Sequence, residues 1–215
     1  MFTDIVGYSS MINKDEKNAL KLLDIHNKII KTSVNNFQGS IVKFIGDSVF
    51  AEFDRAQNAA LSAIEIQSKI IERNTVNPKN DQFHIRIGLH LGDLVVKDND
   101  LFGNTVNLGS RIEGAAPTDG ILLSKEIYQK INKNKSFNCR SLGYIKLKNI
   151  KEPCELFKLY LNQLNFTSQS IDDLRKETIE RGLEVVDMSD YNPIDAYSIG
   201  MLYFKNMGSD ENDVI

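Results

Sequence analysis

The chain has only two cysteines, Cys139 and Cys154, in no metal-binding spacing and able to form one bridge at most. That leaves no framework for a disulfide-stapled secreted scaffold or a thiolate metal site; the expectation is two reduced thiols in a cytoplasmic protein. No apolar run approaches the ~20 residues that a membrane span needs. Nor is there a basic stretch followed by an apolar core to mark a secretory signal. Basic charge is not in excess either: 26 Lys and Arg against 29 Asp and Glu give a formal charge of −3. This balance argues against nucleic acid or an anionic membrane as the partner, while local basic residues can still bind a phosphate ligand. At 215 residues the chain can bury a full core, with room for one domain and an appendage.

What is present alternates between strand-like and helix-like patterns. Residues 1 to 6 read as a strand. Asn13 reads as an N-cap for a long amphipathic helix through Ala19, Leu22, His26, Ile30, Val34 and Phe37, ending at Gly39. Ile41 to Ile45 and Val49 to Phe53 flank Gly46-Asp47, a two-residue turn with glycine first, which puts Asp47 at a hairpin tip. Asp54 is placed to cap a second helix with a small-residue stripe: Ala56, Ala59, Ala60, Ala63, Ile66 and Ile70. Phe83 to Leu91 and Leu94 to Val96 around Gly92-Asp93 predict a second hairpin, followed by a helix over roughly Thr105 to Ala115 that stops before Pro117. A strand at Gly120 to Ser124, a helix at Lys125 to Asn132 and strands near Arg140 to Leu147 and Glu155 to Leu161 complete the region. The order implies an α+β fold: a ferredoxin-like βαββαβ core, mainly antiparallel, with helices packed on one face of the sheet. From 162 to 215 the expectation is a polar linker, a helix near Ile171 to Val186, and another opened by Asn192-Pro193.

Two aspartates stand out, Asp4 and Asp47, each at the end of an apolar strand-like run and next to or near a glycine. Either one alone reads as a turn or cap residue. As a pair on one sheet edge they suit hard divalent cations. Asn107 and Arg111 are neighbours on one helical face. Together they read either as a solvated face or as an amide and a guanidinium for a sugar oxygen and a phosphate. Lys43 and Lys148 read as surface lysines by pattern alone. His90, flanked by apolar residues, reads as a packed strand histidine rather than a catalytic base, since no nucleophile motif accompanies it.

Four segments carry a family resemblance: Phe2-Thr-Asp-Ile-Val-Gly-Tyr-Ser, Lys43-Phe-Ile-Gly-Asp-Ser, Arg86-Ile-Gly-Leu-His-Leu-Gly and Phe102-Gly-Asn-Thr-Val-Asn-Leu-Gly-Ser-Arg-Ile-Glu-Gly-Ala. They occur in the order seen in class III nucleotidyl cyclases, which the chain resembles over about residues 1 to 161. The resemblance implies a catalytic domain that works as a homodimer, with each active site built from both copies. It implies two divalent ions, Mg²⁺ or Mn²⁺, held by Asp4, Asp47 and the backbone carbonyl of Ile5. Lys43 and Asp100 then read the purine, Asn107 and Arg111 contact the transition state, and Lys148 holds the triphosphate. Lysine and aspartate match adenine's ring nitrogen and exocyclic amine, whereas guanylate cyclases resembling this sequence typically carry glutamate and cysteine there. The implied reaction is ATP to 3′,5′-cyclic AMP and pyrophosphate. The alternatives are a guanylate cyclase and a non-catalytic nucleotide-binding dimerisation module.

Two departures from the family follow. Its first strand begins several residues before Phe-Thr-Asp, so Asp4 is expected three residues from a mobile terminus. Gly109 stands where alanine is common, which should weaken that helix by ~1 kcal/mol. Beyond residue 162, the run from Asn192 to Gly208 resembles the first helix of a tetratricopeptide unit, which implies a protein partner for the C-terminal helices.

Overall fold

The computed structural model describes residues 1–93, 95–97 and 100–189, with the backbone alone at 95–97 and 100–102; the tetratricopeptide-like stretch lies outside them. The first half runs β1 (Phe2–Ile5), α1 (Tyr8–Lys14), α2 (Glu16–Asn36), β2 (Gly39–Ile45), β3 (Ser48–Phe53) and α3 (Ala56–Val76). Then come β4 (Ile85–Leu89), β5 (Val95–Lys97), β6 (Asp100–Phe102), α4 (Asn104–Ala115), β7 (Ile121–Ser124) and α5 (Lys125–Ile131). The chain continues through β8 (Asn138–Lys146), β9 (Cys154–Tyr160), α6 (Gln163–Ser168), α7 (Ile171–Glu180) and β10 (Glu184–Val186).

One eight-stranded sheet has the order β10-β8-β9-β7-β4-β1-β3-β2. Its β4-β1-β3-β2 half is antiparallel, with β1 in the middle, as the ferredoxin-like reading requires. The pairing of β4 with β7 is parallel. The main core lies between this sheet and α2 and α3: Ile5, Val49, Ile85 and Ile87 meet Leu22, Ile30, Val34, Ala60 and Ile66. Residues of alternate parity point the other way, and there Ile112 and Ala115 of α4 join Leu122, Leu142, Ile145 and Leu156. The α4 helix lies very close to the sheet. A Cβ on Gly88 would fall 2.3 Å from the Glu113 backbone nitrogen, and one on Gly109 would fall 2.9 Å from the Phe2 ring. Gly109 therefore serves close packing, and the helix propensity it gives up is offset by that approach.

Several local expectations need correction. Asp15, not Asn13, caps α2, accepting from the Asn18 N–H at 3.0 Å, and a separate short helix precedes it. Both residues are cap-competent, so composition could not choose between them. α3 starts after Arg55 without a side-chain cap, so Asp54 does not serve as one. The second hairpin does not form as read: β4 is taken by β1 and β7, while β5 pairs with β6 in a separate two-stranded ribbon. β4 is buried on both faces, and a sheet centre competes better for such a strand than a ribbon does. The helix expected through Val186 ends at Glu180, and β10 then adds to the edge of β8. The terminus near Asp4 is also better held than expected. Met1 is buried, and its amino group donates to the Ala51 carbonyl at 2.8 Å. Among the described residues no helix is long and apolar enough to cross a membrane.

Candidate active site

The β2–β3 hairpin turns at Gly46, whose φ of +62° is the left-handed geometry that glycine adopts without strain. That turn returns Asp47 beside the end of β1. There its carboxylate faces the Asp4 carboxylate and accepts from the Ile5 N–H. Burial, with Asp4 adding to it, pushes the Asp47 carboxyl up to about 6. Asp4 is fixed on both oxygens: Ser48 Oγ donates to Oδ1 at 2.7 Å, and Arg86 Nη2 donates to Oδ2 at 2.8 Å. The Ile5 side chain is buried in the core, so only its backbone faces this cluster.

Arg86 extends the cluster to α4. Its Nε lies 3.2 Å from Glu113 Oε1, within ion-pair distance but not aligned as a hydrogen bond. Burial pushes the Glu113 carboxyl up to about 7, against the opposing pull of Arg86. Asn107 and Arg111 share the next face of α4; Asn107 is exposed, while the Arg111 Nε is buried without a hydrogen-bond partner. Glu113 thus pairs with Arg86 and not with Arg111.

Lys43 is exposed on β2, opposite Phe50 and just past a bulge after Ile41. Asp100 opens β6, its backbone paired with Lys97. Lys148 is exposed in the turn between β8 and β9. One chain therefore brings together Asp4, Ile5 and Asp47, and it places Asn107 and Arg111 side by side. Lys43, Asp100 and Lys148 sit on three other elements. His90 is a packed histidine: its Nδ1 lies 2.9 Å from Ser124 Oγ, and burial lowers its pKa.

Sequence reasoning did not single out Ser48, Arg86 or Glu113 as partners. The signal for Arg86 was its polar place in an otherwise apolar strand, but the strand's neighbour was needed to see what it meets.

The two carboxylates offer oxygen donors of the kind that suit Mg²⁺ or Mn²⁺, and a dication between them would offset the burial and the like charge that raise Asp47. Among the described residues no three His, Cys, Asp or Glu side chains gather into a metal cluster, so further oxygens would come from nucleotide or water.

The family model described as "Adenylate and Guanylate cyclase catalytic domain" matches residues 1–161. The chain belongs to this family. A Rhizobium meliloti protein named as an adenylate cyclase is 34% identical over 155 residues, covering 72% of this chain and 26% of that protein. The chain thus spans about a quarter of that relative's length. A cyclase structure from Silicibacter pomeroyi, titled adenylate/guanylate cyclase/hydrolase, is 32% identical with a TM-score of 0.67, covering 73% of this chain and 92% of the other. A guanylate cyclase domain from Catenaria anguillulae, solved in complex with GTP, shares the fold at 22% identity and a TM-score of 0.63, covering 75% and 94%.

Proposed function

We propose that residues 1–161 convert ATP to 3′,5′-cyclic AMP and pyrophosphate at sites formed between two copies of the chain, with residues 162–215 appended to them. The observation that carries this reading is the Asp4–Asp47 pair at the end of β1, with Asp47 raised to about 6 by burial and by its neighbour. When bound, two Mg²⁺ or Mn²⁺ ions supply Lewis acidity that makes the ribose 3′-oxygen a better nucleophile and neutralises triphosphate charge.

Asp4, Asp47 and the Ile5 carbonyl offer oxygens to those ions, and Ser48 and Arg86 hold the Asp4 carboxylate in one orientation. Lys43 donates to the adenine ring nitrogen and Asp100 accepts from its exocyclic amine. Lys148 holds the triphosphate. Asn107 orients the ribose, and the Arg111 guanidinium meets the charge that builds on the α-phosphate. A bond forms from the 3′-oxygen to the α-phosphorus, the bond to the β-phosphate oxygen breaks, and the hydroxyl proton passes to solvent; no side chain serves as general base.

Two exposed apolar residues beside Lys43, Phe44 at 45% and Ile45 at 51%, support a second copy covering this edge. Lys43 and Asp100 favour ATP, since guanine leaves a buried donor or acceptor unpaired at ~1–3 kcal/mol. The test incubates the purified protein with ATP or GTP and Mn²⁺ or Mg²⁺ and measures cyclic nucleotide. Cyclic AMP is expected, lost in Asp47→Ala and in Arg111→Ala. Unchanged product in both variants, or cyclic GMP alone, would sink the assignment.

A further inference from the structure

The family match ends at residue 161, yet the segment that follows is tied closely to the domain. Ser170 and Asp173 form a reciprocal cap at the start of α7. Glu177 of α7 accepts from Lys158 of β9 at 3.2 Å and from Gln169 at 2.7 Å. Arg140 of β8 donates to the backbone carbonyls of Phe166 and Gln169 and lies over the Phe166 ring. One of the segment's contacts reaches α4 directly, and a second joins the apolar cluster that α4 helps to form. Leu174, 2% exposed, joins the apolar cluster that holds Ile112 and Ala115, with Leu183 packed against the same cluster. Arg181 Nη2 donates to the Ala115 carbonyl, one of the oxygens that a helix C-terminus leaves without an intrahelical donor.

We propose that Gln163–Val186 is a brace for α4, in which Leu174 and Arg181 are positioning residues that hold the helix carrying Asn107 and Arg111 in its working place. α4 is 12 residues long, and its last turn is fixed from one side by β4, through Gly88 and the Arg86–Glu113 pair, and from the other by the brace. Slackening one side moves the two side chains assigned to the transition state. The Lys43 and Asp100 positions, on β2 and β6, lie outside the cluster that the brace packs against and stay in place. This inference rests on the cyclase reading for its kinetic arm.

The test compares the full chain with Arg181→Ala, Arg181→Lys and Leu174→Ala, measuring kcat and KM for ATP together with amide hydrogen exchange. Arg181→Ala and Leu174→Ala should lower kcat about tenfold with KM changed less than about twofold, the signature of a lost transition-state interaction. Arg181→Lys, which keeps a donor, should recover much of kcat. Exchange in residues 108–116 should speed up about tenfold or more while β1 and β3 stay protected. Unchanged kcat, or exchange that rises equally across β1, β3 and α4, would overturn the brace, the latter because it marks global destabilisation. If the unsubstituted chain makes no cyclic nucleotide, the cyclase reading fails, and the exchange pattern alone still decides whether the segment braces α4.

Discussion

Arg86 stands directly across the β1–β4 register from Asp4 and donates to its Oδ2 at 2.8 Å, while its Nε lies 3.2 Å from Glu113. One guanidinium thus serves a carboxylate proposed for metal and a carboxylate on the helix that carries Asn107 and Arg111.

Arg86→Met keeps the stem and removes this charge. It should destabilise the domain by about 1–2 kcal/mol in urea unfolding near neutral pH, the range for losing charged hydrogen bonds that are partly exposed. Because Arg86 opposes the upward push on Glu113, the variant's Glu113 carboxyl should titrate above the present value of about 7. Carboxyl NMR reads this directly, and an unmoved titration would show that Arg86 does not act on Glu113.

Asp47→Asn should trade activity for stability. The folded-state carboxyl sits at about 6 against an ordinary 3.8, so the folded chain holds its proton more tightly, and ionisation costs stability as pH rises through that window. Asparagine removes the cost. The variant should gain roughly 1–2 kcal/mol at pH 7.5, with solvent screening of a half-buried group allowed for. The gain should shrink on acidification through pH 6 and vanish below the unfolded value, while cyclase activity falls at least ~100-fold. Equal or lower stability at pH 7.5 would contradict the crowding of the two carboxylates.

Mixing two inactive variants tests the shared site. Asp47→Ala lacks the metal side, and Arg111→Ala lacks the transition-state side. A mixed dimer regains one intact site in two, and half of randomly paired dimers are mixed, so an equimolar mixture should recover about a quarter of the unsubstituted rate. A mixture as inactive as its components would place all the groups within one chain.

His26 should make the fold sensitive to acid. It is fully buried edge-on to Phe83, with ring centroids 6.0 Å apart, and burial lowers its pKa to about 4. The unfolded chain takes up a proton near 6.5 and the folded chain does not, so stability is full above pH 6.5 and falls as pH drops toward 4, by up to about 3 kcal/mol. His26→Phe should flatten that part of the curve. The comparison between the two proteins isolates His26 from the buried Met1 amine, whose pKa is also lowered to about 5. Parallel pH curves would rule the histidine out.

The parts legible in the sequence were those set by neighbours along the chain. Gly46-Asp47 between two alternating runs announced a hairpin tip, and the Ala19, Leu22, His26, Ile30 spacing announced the buried side of α2. Asp4 stood out in the same way, at the end of an apolar strand-like run. What was not legible depends on which strands become neighbours. Arg86 lies 82 residues from Asp4, and nothing local to either names the other. β5 was assigned to β4 because they are adjacent in sequence, and burial on both faces of β4 overruled adjacency. β10 was hidden inside a longer helical pattern. Gly182, with φ +79°, and the β-branched pair Val185-Val186 were the available signs of the change.

β10 also decides what can be cut away. It hydrogen-bonds along β8 and, with Leu174 and Leu183, covers Leu142 and Ile145. A fragment ended at residue 161, where the family match stops, would bare the β8 edge at Tyr144–Lys146 beside an apolar patch. Such an edge recruits copies of itself, so the shortest well-behaved form of this domain extends through Val186.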